Sequence, residues 1–229
     1  MTNVRVDTTD PTVLSVGAAF CQATYYLGMQ MVFVATMSEN VTVTGTPRLT
    51  LTIGATTRYA NYSSGSGTSA LVFSYNPVST DLDGDGIVVA AAIDANSGTL
   101  RDSVNNNAVL SFTAPNTSTV LVDGNTPYVT AITPSANGNY VTGNPLDFVL
   151  TYSEAVNVTG IPSLALTVGS TSRSATYQSG TGGTQLTFRY IVQSDDLDTD
   201  GIAASPTLTM TGATIQDGGA TNALNVLSL

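Results

Sequence analysis

Apolar and polar residues alternate with period two along most of the chain. Arg48-Leu-Thr-Leu-Thr-Ile53 sets Leu49, Leu51 and Ile53 on one side, and Ser163-Leu-Ala-Leu-Thr-Val168 and Thr184-Gln-Leu-Thr-Phe-Arg-Tyr190 repeat the pattern. A strand that buries one face reads this way. Gly54, Ser64–Gly67, Asp83–Gly86, Asn137-Gly138 and Gly180–Gly183 interrupt the runs with residues suited to turns, at a spacing of about ten residues. No stretch sustains helical spacing. Ile87-Val88-Val89 is β-branched and reads as strand, although Ala90–Ala92 would tolerate a helical turn. Strands are predicted near 12–17, 29–37, 48–53, 56–62, 69–76, 87–93 and 107–112, about seven in this stretch, the count of a small antiparallel sandwich.

The same pattern occurs twice. Ser38-Glu-Asn-Val-Thr-Val-Thr-Gly-Thr-Pro47 returns as Ser153-Glu-Ala-Val-Asn-Val-Thr-Gly-Ile-Pro162, and the offset of 115 holds without a gap through Arg58 and Arg173, Tyr62 and Tyr177, Phe73 and Phe188, Asp81 and Asp196, and Ile87 and Ile202. Upstream the offset becomes 116, where Asp7 and Pro11 match Asp123 and Pro127. The expected architecture is all-β, two tandem immunoglobulin-like β-sandwich domains, at residues 1–122 and 123–229. A length of 229 residues accommodates two such cores.

Composition removes many functions. There are 16 acidic residues against 6 basic ones, every basic residue is Arg, and Lys, His and Trp are absent, for a net charge of −10. Without His or Lys there is no imidazole base, no Schiff-base amine, no P-loop lysine and no His-ligated zinc. Ser and Thr abound but have no base to activate them, so no enzyme is expected. Six scattered Arg do not form a basic stripe, which argues against nucleic acid. The longest apolar run, Ile87–Ile93, is well short of the roughly 18 residues a spanning helix needs, so no membrane insertion is expected. One cysteine, Cys21, leaves no intrachain disulfide and reads as a small hydrophobe.

Ser-Glu-Ala-Val-x-Val-Thr-Gly-x-Pro-x-Leu-x-Leu from Ser153, then Ala-x-Tyr-x-Ser-Gly-x-Gly, Leu-x-Phe-x-Tyr and Asp-Leu-Asp-x-Asp-Gly-Ile, resembles the bacterial Ig-like repeats strung in arrays through very large surface and adhesin proteins. The resemblance covers nearly the whole chain. It implies an extracellular or cell-surface location, neighbouring Ig-like repeats as partners, and a role as stalk, spacer or adhesive contact for a host, prey or glycan ligand. The first copy departs from the pattern between Gly17 and Met37, where Phe20, Cys21, Tyr25, Tyr26 and three methionines replace more polar residues.

Acidic loops are the main candidate chemistry. Asp81, Asp83 and Asp85, and Asp196, Asp198 and Asp200, resemble the front half of a calcium loop, with alternate carboxylates before a glycine. The twelfth position, where a closing Glu would stand, is Ala92 or Thr207, and the rival reading is a turn whose side chains bond their own backbone. Calcium is the cofactor this pattern suggests. Another candidate cation ligand is Asp7 or Asp123 at a copy boundary. Glu39 and Glu154, the two glutamates, occupy equivalent places in separate copies and therefore do not form a glycosidase pair. Phe20, Tyr25 and Tyr26 are the candidate ligand contacts, set against the favoured reading that they fill the first sandwich or seal it against a preceding repeat. A carbohydrate-binding module using Tyr25, Tyr26, Tyr59 or Tyr62 is the competing function.

Overall fold

A computed structural model describes residues 6–18 and 23–227. Phe20 and Cys21 lie outside the described residues. The chain divides into two compact units, Met1–Asn125 and Thr126–Leu229. That boundary falls three residues later than the sequence pattern suggested, because the segment before it is tied into the first unit, as shown below.

In the first unit the strands are β1 (Val13–Ala18), β2 (Thr24–Tyr26), β3 (Met31–Thr44), β4 (Arg48–Ile53), β5 (Thr56–Ser64), β6 (Thr68–Tyr75), β7 (Leu82–Asp83), β8 (Val88–Asp94), β9 (Thr99–Arg101) and β10 (Leu121–Asp123). The main sheet runs β1-β3-β6-β5-β4-β8, with β9 on the far half of β3. Its two edges are joined by the 107–112 segment. Val109 donates its N–H to Pro11 O (2.7 Å), while Ile93 donates to Leu110 O (3.0 Å) and Phe112 to Ala91 O (2.9 Å). This segment makes single bridges to its neighbours, parallel at Thr12 and antiparallel at Ala92, instead of the continuous strand expected there. Four short strands, β2, β7, β9 and β10, escaped the period-two reading because two or three residues cannot display a period.

The second unit repeats the plan with β11 (Val129–Pro134), β12 (Pro145–Thr159), β13 (Ser163–Val168), β14 (Thr171–Ser179), β15 (Gly183–Ile191), β16 (Ala203–Thr209) and β17 (Thr214–Gln216). Its order is β11-β12-β15-β14-β13-β16, with β17 on β12. Val129 and Leu227 form the parallel closing bridge.

Alternation sends Leu49, Leu51 and Ile53 into the first core together with Phe33, Leu71 and Phe73. In the second core Leu164, Leu166, Val168, Phe148, Leu186 and Phe188 take those places. Each core holds an edge-to-face aromatic pair in the same position. Tyr62 and Phe73 have centroids 5.9 Å apart at 72°, and Tyr177 and Phe188 6.0 Å apart at 67°. Two separate cores predict that damage to one stays in that unit. Phe188→Ala should cost the second unit about 3–5 kcal/mol by cavity formation. Calorimetry should show that unit's transition moving down while the first stays in place; a common shift of both would contradict separate cores.

Candidate functional site

The acidic loops lie at one end of each sheet, where β7 or its counterpart crosses the β4–β5 turn. Asp81 is fully buried. Its Oδ1 accepts from Arg58 Nε at 2.7 Å, and its Oδ2 accepts from the Tyr75 hydroxyl and from the Val78 N–H at 3.1 Å. The second unit repeats the arrangement. Asp196 accepts from Arg173 Nε (2.8 Å), the Tyr190 hydroxyl and Gln193 N–H (2.7 Å), and Arg173 also pairs with Asp195 at 2.8 Å.

Asp83 and Asp198 act on the backbone. Asp83 Oδ2 accepts from Gly54 N–H (2.7 Å) and Oδ1 from Gly86 N–H (2.7 Å). Asp198 accepts from Gly169 (2.6 Å) and Gly201 (2.6 Å). This clamp explains a glycine at the β4–β5 turn. Gly54 has φ of +55°, and a Cβ there would lie 2.4 Å from Leu82 O; at Gly169 the same atom would lie 2.2 Å from Leu197 O. Asp85 and Asp200 remain exposed. The Asp81 and Asp83 carboxylates accept from protein donors, Arg58 among them.

Burial and then the bond to Asp81 push the Tyr75 hydroxyl well above the usual phenol range. For Asp196, burial opposes ionisation, but the bonds from Tyr190, Gln193 and Arg173 outweigh it and hold the carboxyl below its ordinary value. Asp198 is also lowered, by the N–H groups of Gly169 and Gly201.

Among the described residues, three acidic side chains bring oxygens together at a different place. Carboxylate oxygens of Asp7, Glu39 and Asp102 lie within 4.8 Å of one another. Glu39 sits in β3 where pairing with β6 jumps from Thr36↔Ala70 to Val41↔Thr68, freeing the strand to turn toward β9. Buried Asp102 follows β9 and caps its turn, accepting from Val104 N–H (2.9 Å), Asn106 N–H (2.8 Å) and Asn106 Nδ2 (2.8 Å). Burial, then Asp7, then Asp102 raise the pKa of Glu39. These are the hard oxygen donors that calcium accepts. The sequence reading named Asp7 and Glu39 separately, but β3–β9 pairing is what brings Asp102 to them, and no spacing rule contains that register. Asp217 repeats the cap through Gly219 (2.8 Å) and Thr221 (2.7 Å), but its buried Oδ2 has no partner because Thr221 stands where the first unit has Asn106.

The aromatic candidates do not form an open platform. Tyr25, named above as a ligand contact, is 2% exposed and belongs to the first core, because β2 is held by β10. Tyr26 is half-buried. Arg48 stacks over one face of the Tyr59 ring, 3.7 Å from its centroid, although Tyr59 stays 38% exposed, and the Tyr62 hydroxyl accepts from Ser66 N–H at 2.7 Å.

The strand order, edge closure and paired cores define an all-β protein of two tandem Ig-like sandwich domains. Neither a protein-family model nor a curated protein matches the sequence. Among solved structures, the human OSCAR ligand-binding domain matches at 10% identity over 80% of this chain and 84% of that one, with a TM-score of 0.25, a likeness too loose to carry an argument.

Two predictions follow from the charges. Asp196 and Asp198 have folded pKa values below the ordinary 3.8, so the stability they contribute is full above that value and is lost as pH falls through the folded pKa. Asp198→Asn should flatten the acid limb of a urea-midpoint series for the second unit; an unchanged limb would contradict the clamp. Glu39 has the opposite sign, because a raised folded pKa withdraws stability as pH climbs past the ordinary 4.5. In metal-free buffer Glu39→Gln should raise the first unit's melting temperature at pH 7 but not at pH 3.5, and a loss at pH 7 would show that the three carboxylates do not repel one another.

Proposed function

We propose that the chain is a non-catalytic, extracellular repeat segment of a bacterial surface protein, a spacer that keeps its shape under tension between neighbouring Ig-like repeats. The observation that carries this reading is the parallel closure of each unit. The entering segment of the first unit pairs with the leaving one at Thr12↔Val109, and that of the second at Val129↔Leu227. Tension enters along one member of such a pair and leaves along the other in the opposite sense. The bonds between parallel segments are then loaded together in shear and cannot be peeled one at a time.

Further support comes from what the copies share. The Arg–Asp–Tyr clamp recurs at the same offset with nearly the same lengths, which fits scaffold duties better than ligand discrimination. The absence of His and Lys from the sequence agrees with a non-catalytic role.

Pulling on the full chain tests this. Two unfolding events are expected, each releasing roughly 35–45 nm for units of about 100–125 residues at about 3.5 Å per residue. Val109→Pro deletes the N–H given to Pro11 at an exposed position and should lower the first unit's unfolding force while sparing the second. Unaltered force would remove the mechanical argument. Saturable glycan binding lost in Tyr26→Ala or Tyr59→Ala would replace the spacer with a carbohydrate-binding module.

A further inference from the structure

The two units differ at the end that carries the acidic loop. In the first, β10 lies between β2, which it pairs in parallel, and β7, which it pairs antiparallel. Val120 and Val122 are 3% and 1% exposed and complete the core. The backbone is tied on every side. Leu121 donates to Ala23 O (2.9 Å), Ile87 to Val120 O (3.1 Å) and Gly124 to Asp81 O (2.7 Å).

At the same end of the second unit there is a cavity of about 660 Å³, lined by Tyr140, Leu146, Phe148, Val168, Tyr190 and Ile202. At the 115 offset these residues correspond to Tyr25, Met31, Phe33, Ile53, Tyr75 and Ile87, which belong to or pack against the same core as Val120 and Val122. No described residue of the second unit forms a counterpart of β10, and the 139–142 segment, matching β2, is not a strand. Tyr140 is 36% exposed where Tyr25 is 2%. Val141 and Leu197 are 65% and 79% exposed. A glycine reports the same difference: a Cβ on Gly86 would lie 2.5 Å from the Ser118 backbone, whereas one on Gly201 would meet nothing within 4 Å.

The sequence identifies the kind of segment that fits. Val120-Leu-Val-Asp123 precedes the second copy, and Val4-Arg-Val-Asp7 precedes the first at the 116 offset. Val-x-Val-Asp is thus the leader of a repeat, and in the first unit the leader of the next copy closes the core.

We propose that the cavity of the second unit is the seat for the Val-x-Val-Asp leader of a following Ig-like repeat, which enters as a strand between the 139–142 segment and the Leu197–Asp198 turn. Its two valines fill the apolar floor, and its backbone pairs on both sides as β10 does. The proposal needs repeats in series but not that they bear force, so it survives loss of the spacer reading.

The test extends the full chain. Leu229 aligns with Ala114, so a copy of residues 115–125 placed after Leu229 continues the repeat in register. This extension should raise the second unit's melting temperature by about 5 °C or more and slow amide exchange at Val141 and Leu197 at least tenfold. The same extension with Ser at the two valine positions should do neither. Unchanged melting and exchange with the valine extension would overturn the proposal, as would equal stabilisation by the serine version. A concentration-dependent dimer of the unextended chain, abolished by Val6→Asp, would hand the seat to a second copy and overturn the assignment to a following repeat.

Discussion

Asp81 carries its charge into a place with no solvent contact, and an ion so placed costs several kcal/mol unless an opposite charge and donors surround it. Arg58, Tyr75 and the Val78 N–H supply that surrounding from β5, β6 and the loop that follows β6. The requirement is geometric as well as energetic. Three chain segments must reach one carboxylate, which fixes the end of β5 and β6 against the loop that leads to β7. Removing Arg58 would leave the buried Asp81 without its opposite charge, while Arg58 itself keeps 24% of its side chain in solvent. The stabilisation is modest next to the apolar core, but it is directional. Non-directional packing of Leu and Phe cannot by itself select one loop path.

A second consequence is that the acidic loop and the glycine turn are one device. Asp83 holds Gly54 by its N–H, and Leu82 O lies where a side chain at position 54 would stand. Asp83 and Asp198 of these loops therefore serve as hydrogen-bond acceptors that fix the path of turn backbone. The three carboxylates that do crowd together, at Asp7, Glu39 and Asp102, come from segments far apart in sequence.

Much of this was readable from the chain. Arg48–Ile53 alternates so regularly that β4 has the bounds its pattern implied, and the 115 offset announced two copies of one plan. The acidic loops were visible as positions but not as roles, since Asp-x-Asp-x-Asp-Gly describes a cation loop and a backbone clamp equally well. Arg58, the partner of Asp81, lies 23 residues upstream and is brought in by strand pairing. The choice between core and contact for Tyr25 is not legible locally, because a three-residue strand has no period and because its pairing partner, Val122, lies almost a whole unit downstream. Local pattern therefore located the scaffold, while the function of each polar group depended on non-local register.

The unit boundary follows the same logic. A leader that precedes the second copy in sequence but packs in the first unit moves the physical division from 122/123 to 125/126. Its apolar residues, Val120 and Val122, are lost to solvent unless the first core receives them, and that core is open at one end unless they arrive. Sequence repeat and folding unit are therefore out of phase by one short strand. The first unit's core thus depends on residues that the sequence repeat assigns to the start of the second copy.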